Sequence, residues 1–294
     1  MTDYSIERDR FGRPMLFPPE GGKKTAYTRV STMAKWLDDK GGLINWSASM
    51  AMIGLMKSKP LQARVSAIVA RSSDPYRENK AALKELVDTA TQLAQAQGRA
   101  DYGTAIHEFA ELLDQGQLAW DYVPEALKGP LEAYREATQD LETVNTEVFV
   151  VIDEEREGKK IRGAGSLDRV YRHAELGVCI GDLKTGTDEP KYPLGVMTQV
   201  AGYSRGKRYC DDSFGDDFRM PDAVPNADGT AFRAPIHAEL NRARGLLVHC
   251  PLEPVRGKHI CHLYALDLDK GWESLLLGHR VQSARRPKAL ERIA

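Results

Sequence analysis

Two aspartates and a lysine, Asp168, Asp182 and Lys184, carry the chemistry that is easiest to read in this chain. They stand in a stretch with the pattern of two strands. AGSLDRVYR (164–172) sets apolar Leu167, Val170 and Tyr171 around Asp168; the chain turns at 174–177 and resumes as VCIGDLKTG (178–186), which predicts an antiparallel pair joined by a tight connection. Successive strand residues point to opposite faces, so Asp182 and Lys184 share one side and Leu183 takes the other. Two carboxylates and an ammonium then meet at one edge of a sheet. Like charges that close, in a partly dry place, require something positive between them. Carboxylate oxygens and water suit magnesium or manganese, and the Leu183 main-chain carbonyl would offer a further oxygen. Lys184 would lie beside the metal, orienting a water or offsetting negative charge on a substrate.

Two helices would bring further groups to this edge. A helix over about 194–209 places Gln199 and Tyr203 four residues apart on one face, able to reach a substrate backbone or to order the site from behind. Arg205, Lys207 and Arg208 follow, either as phosphate contacts or as a solvated helix end favoured by its dipole. A second helix, about 101–115, carries Gly103, Thr104 and His107, with Glu111 one turn beyond His107. The strand 143–153, TVNTEVFVVID, is rich in β-branched residues and should be central. Its Glu147 reads, from the residues alone, as a strand-end surface charge.

In order along the chain, Gly165 to Asp168 (GSLD), Asp182 to Gly186 (DLKTG) and Gln199 to Tyr203 (QVAGY), preceded by Gly103 to His107 (GTAIH), resemble the RecB-like branch of the PD-(D/E)XK nuclease superfamily. The likeness is to exonucleases of the actinobacteriophage kind. By motif it covers about residues 100–205, and more loosely most of the chain. It implies a restriction-endonuclease-like core, His107 as a metal ligand beside Asp168 and Asp182, and hydrolysis of DNA phosphodiesters, with exonuclease action common in that branch. A nitrogen ligand would tilt the preference toward manganese. For Glu147 the resemblance implies a place near the site, a reading equal in weight to the surface charge. Some members of this group hold an iron–sulfur cluster with one cysteine upstream of the histidine motif; here no cysteine precedes Cys179, so no cluster is expected.

The remainder reads as support. Residues up to Ala26, rich in Gly, Pro and charge, suggest an extended arm or hairpin whose RPMLFPPE segment either docks or stays loose. Ser31 or Thr32 would cap a short helix with Met33, Trp36 and Leu37 on one face. The stretch from Leu43 is apolar over much of its circumference, and Met50, Met52 and Met56 are expected as core filler rather than a partner surface. Helices are predicted over 60–71, 77–98 and 124–142, and a charged turn at 154–160. Residues 211–235 are acidic and full of Pro and Gly, the composition of a long surface loop. Beyond it, 244–249 and 258–266 suggest a hairpin closing the sheet. Its His249, Cys250, His259, Cys261 and His262 alternate in direction, so few of them would reach one zinc ion. The last helix has a basic end, Arg280, Arg285, Arg286, Lys288 and Arg292, the most plausible electrostatic footprint for nucleic acid.

A chain of 294 residues with 42% hydrophobic content can bury a substantial core. No apolar run is long enough to cross a bilayer and the N-terminus lacks a signal-peptide pattern, so a cytoplasmic protein is expected, in the host cytoplasm if phage-encoded. Its four cysteines lack CxxC spacing and should be reduced there. The formal net charge is −1, so binding to DNA would depend on a local basic patch. The reading is an α/β protein: a mixed central sheet flanked by helices, one domain over 1–294, with a largely helical portion over 1–100. The alternative is a catalytically inactive nucleic-acid-binding or assembly protein retaining the fold, with RNA as a weaker alternative substrate. Oligomeric state is not legible in the sequence.

Overall fold

β-Branched and aromatic residues concentrate between 143 and 184, and there the chain forms its longest strands. In the computed structural model, which describes residues 6–38, 41–94, 96–156, 158–186, 190, 193–214, 220 and 222–285, β4 (Glu142–Arg156), β5 (Lys159–His173) and β6 (Gly177–Lys184) run as an antiparallel meander. The turn into β6 uses Gly177 at φ +68°, a left-handed conformation that glycine adopts without steric cost. The β4–β5 turn is tighter than the charged run 154–160 suggests, because the strands continue to Arg156 and resume at Lys159. Within that run, Glu157 lies outside the described residues.

By its internal contacts the chain divides into two compact units, Met1–Asp38 with Glu108–Ala294, and Asp39–His107. In the first, β10 (Arg244–His249) joins β6 in parallel and β11 (His262–Asp267) closes that side. On the other side of the sheet, β7 (Lys207–Asp211), β9 (Ala231–Ala234) and β8 (Val224–Pro225) follow β4. The order is β11-β10-β6-β5-β4-β7-β9-β8, with β3 (Thr28–Arg29) pairing in parallel with β5 at Gly163 and Ala164. With its helices this is a mixed α/β fold. A separate two-stranded hairpin, β1 (Met15–Leu16) and β2 (Thr25–Ala26), buries Leu16.

Strand alternation divides the apolar residues between the two faces of the sheet. Val148, Val150 and Ile152 pack with Leu167, Ile180, Val200, Leu268 and Leu275, beneath α8 (Leu194–Ser204) and α9 (Leu268–Ala284). Phe149 and Val151 face the other way, against Leu16, Tyr27, Ala164 and Tyr209. The helix α7 (Glu125–Thr138) completes this unit before β4.

Several elements differ from the sequence expectation. The first helix, α1 (Val30–Met33), starts ahead of Ser31 and has no side-chain cap, because the chain enters it directly from the paired residues of β3. The helix expected over 194–209 ends at Ser204, and Lys207 and Arg208 belong to β7, where they pair with Val151 and Val150. Part of the segment read as a loop is sheet: Ala231 and Ala234 of β9 are buried, and Arg233 makes an ion pair with Asp153 at 2.7 Å. Residues 215–219 and 221 of that segment lie outside the described residues, as do Arg286, Lys288 and Arg292 of the basic tail.

The second unit is helical: α2 (Gly41–Met56), α3 (Lys59–Arg71), α4 (Pro75–Glu78), α5 (Lys80–Leu93) and the first part of α6 (Ala96–Asp114), which continues into the other unit. Ser58 caps α3 by accepting the Leu61 N–H, and Asp74 caps α4 by accepting that of Arg77. Leu61, Leu86 and Ala90 form the buried cluster, with Leu55, Val65, Ile68 and Leu83 against it. Met52 and Met56 are not core filler, whereas Met50 is half-buried. Met52 is 69% exposed and Met56 75%, together with Ile44, Trp46 and Ile53, because α2 is apolar all round and only one narrow side of it meets α5. That side is set by Gly54, where a Cβ would lie 1.7 Å from the Ala90 carbonyl oxygen. Gly54→Ala should therefore destabilise the protein by about 3 kcal/mol in urea denaturation. Gly42→Ala in the same helix, with open space around it, should not; equal effects would remove the close crossing as the cause.

Candidate active site

The β5–β6 ladder runs from His173↔Gly177 to Arg169↔Gly181 and stops. Beyond it β6 pairs only with β10, up to His249↔Lys184, while β5 takes β3 as its neighbour. The two strands therefore part at Asp168 and Asp182, which the register of the last pair sets opposite each other. On the other edge of β5, the pairs Thr146↔Arg169 and Val148↔Leu167 set Glu147 opposite Asp168. Three carboxylates occupy one line across three neighbouring strands, where the sheet forks.

The backbone is irregular at this line. Glu147 has φ +48°, and it is the one non-glycine strand residue with positive φ among those described; such strain persists only where the surroundings hold it. Leu167 and Val170, three residues apart, enter the same core, which strict alternation does not allow. Side chains take over where the ladder ends: Asp168 Oδ2 accepts the Leu183 N–H at 3.0 Å. At Leu183, the group that meets a site carboxylate is thus the amide.

Asp182 is the buried member, its side chain 3% exposed. Gln199 Nε2 on α8 donates to its Oδ1 at 3.1 Å, and Lys184 Nζ lies 2.5 Å from its Oδ2. The Lys184 ammonium is the charge partner of that buried oxygen. Burial and the Asp168 carboxylate push Asp182 up to about 7, against the pull of Lys184 and Arg169. Burial, Asp168 and Glu111 likewise push Glu147 up to about 7. Burial works against the Lys184 charge, but Asp182 and Asp168 hold its ammonium above the usual lysine range. Tyr203, driven upward by burial and by the three carboxylates, stays a neutral phenol bonded to Gln199. It packs on Gly165, where a Cβ would come within 3.0 Å of its hydroxyl.

Behind the line lies a buried polar network that the sequence reading missed. Arg169 Nε donates to Asp114 Oδ2 at 2.6 Å with both side chains inside, Tyr134 donates to the same oxygen at 2.8 Å, and the Tyr134 and Tyr171 hydroxyls are 2.7 Å apart. Gly181 makes room for it, since a Cβ there would sit 2.5 Å from the Tyr171 ring. Asp114 had a signal, lying on the helical face of His107 and Glu111 at the seventh residue. Arg169, one place after Asp168, had none beyond its position in an apolar strand. Glu111 reaches Gln115 and Thr146 beside Glu147.

His107 is the last residue of the helical unit, within α6 rather than near its start, because α6 begins at Ala96. Arg205 pairs with Asp269 of α9 at 2.7 Å. No family model matches this chain. No curated protein matches it either. Among solved structures, the crystal structure of SSO0001 is similar over 63% of this chain and 70% of that one, at 14% identity; its TM-score of 0.27 carries no argument.

The donor set is all oxygen, which suits a hard divalent cation. Among the described residues no three His, Cys, Asp or Glu side chains gather closely enough to hold a metal ion. Magnesium is commonly bound through one or two carboxylates, with water and phosphate oxygens completing its shell, and the adjacent Asp168 and Asp182 supply that number of carboxylates. Without metal, the folded protein keeps protons on Asp182 and Glu147 up to about pH 7, whereas unfolded carboxyls release them near their ordinary values of 3.8 and 4.5. The folded state then binds more protons in that window, so stability in EDTA should fall as pH rises from about 4 to 7. Asp182→Asn and Glu147→Gln should each flatten the slope in urea titrations across that range. Unchanged slopes would refute the assignment of the raised pKa values.

Proposed function

We propose that this chain is a divalent-metal-dependent DNA nuclease of the RecB-like PD-(D/E)XK kind, acting as an exonuclease. What supports the reading most is the line Glu147–Asp168–Asp182 at the sheet fork, with Lys184 seated on Asp182. Asp168 and Asp182 would hold magnesium or manganese. When bound, the ion lowers the pKa of a water and offsets charge on the phosphate. Gln199 fixes the Asp182 carboxylate by its hydrogen bond, and Asp168 is fixed by the Leu183 amide. Lys184, protonated and 42% exposed, faces the opening and stabilises negative charge on the phosphate as water attacks and the phosphodiester P–O bond breaks. Tyr203, buried behind Gln199 and bonded to it, would order the site from behind.

One observation favours the alternative of a non-hydrolytic nucleic-acid-binding or assembly protein: the Lys184 ammonium already offsets Asp182 without any metal. The deciding experiment offers end-labelled linear and closed circular DNA to wild type, Asp182→Ala and Lys184→Ala, with manganese, magnesium or EDTA. The expected outcome is metal-dependent loss of linear DNA only, reduced about 10²-fold or more in both variants. Cleaved circles would make it an endonuclease. Intact substrates throughout, with DNA still bound, would replace the nuclease reading by the binding-protein one.

A further inference from the structure

We propose that Cys250 and Cys261 are a redox modification site, closing reversibly to an intramolecular disulfide one backbone hydrogen bond away from Lys184. β10 and β11 are antiparallel and in register from Arg244↔Asp267 to His249↔His262. Continued one step past that last pair, the register would set Cys250 opposite Cys261. Directly opposed residues of an antiparallel pair have Cα atoms about 4.5–5.5 Å apart, inside the span of about 4.4–6.8 Å that a disulfide bridges. The two thiols interact directly and both are free. The remaining cysteines, Cys179 on β6 and Cys210 on β7, stand on other strands.

The pair sits at a structural joint. The Cys250 N–H donates to the Lys184 carbonyl at 2.8 Å, just past the last β6–β10 pair, His249↔Lys184. The Cys250 thiol, fully buried, donates to the Pro130 carbonyl of α7 at 3.2 Å. Closing the disulfide removes that donor and ties the end of β10, and with it the backbone of Lys184, to β11. Cys261 is the partly exposed partner and the point of entry.

The oxidant is a small-molecule disulfide. Cys261 gives its proton to solvent and its sulfur attacks one sulfur of the reagent, forming a mixed disulfide and releasing one thiolate. Cys250 then gives up its proton and attacks the Cys261 sulfur, displacing the second thiolate. Two protein thiols are oxidised and one disulfide is reduced to two thiols. The Cys250 contact and burial hold the Cys261 thiol well above the usual cysteine range, so the reaction is slow near neutrality and accelerates with pH.

The test incubates reduced, folded wild-type protein with oxidised glutathione at pH 7 and 8.5, then alkylates in denaturant and maps peptides by mass spectrometry. The expected result is a Cys250–Cys261 cross-link with Cys179 and Cys210 alkylated, formed faster at pH 8.5 and reversed by dithiothreitol. Hydrogen exchange at the Cys250 amide should slow in the oxidised form. Cys250→Ser should stop at a glutathione adduct on Cys261. Four alkylated cysteines, a lasting adduct on wild-type Cys261, or a bridge to Cys179 or Cys210 would each overturn the proposal. Because the readout is thiol chemistry, it stands apart from any result with DNA.

Discussion

Three carboxylates at one level of a sheet repel one another, and the fork between β5 and β6 is built around that repulsion. A continuous ladder would press Asp168 and Asp182 together as directly opposed partners, where like charges destabilise a sheet. The strands part there, and each carboxylate gets a different neighbour: the Leu183 amide for Asp168, Lys184 and Gln199 for Asp182, and a strained backbone and a raised pKa for Glu147.

The Arg169–Asp114 pair carries the same electrostatics into the interior. Arg169 follows Asp168 and points into the buried network, so its fixed positive charge works against the upward shift of both Glu147 and Asp182. Breaking such a pair from one side leaves an uncompensated charge inside, typically about 3–5 kcal/mol of stability. Gly181 and Gly165, on either side of the fork, leave space for Tyr171 and Tyr203, so small residues near the carboxylates serve the aromatic groups that frame them.

Much of this was legible in the sequence. The alternation of 143–153 and 164–184 marked the strands, and the Asp182–Lys184 spacing placed both side chains together, as the ion pair between them shows. The illegible parts have specific causes. Register beyond the meander depends on distant partners, so the fork and the role of Glu147 had no local signature. The apolar circumference of α2 resembled a buried helix because composition does not reveal how many neighbours a helix has. β7 was read as the end of the helix before it, β9 was hidden by acidic, proline-rich flanks that resemble a loop, and Asp114 needed its helix to be docked before its face meant anything.

The pairing of β3 with β5 carries a kinetic consequence. Thr28 finds its partner at Gly163, 135 residues later (163 minus 28), and no local hairpin can substitute for that contact. During synthesis the N-terminal segment must wait until most of β5 has emerged, holding Tyr27 and Val30 away from the core they will join. Contacts of such long sequence separation slow folding, since the loop entropy is lost before the pairing rewards it. The edge of β5 that β3 covers is therefore among the last to close.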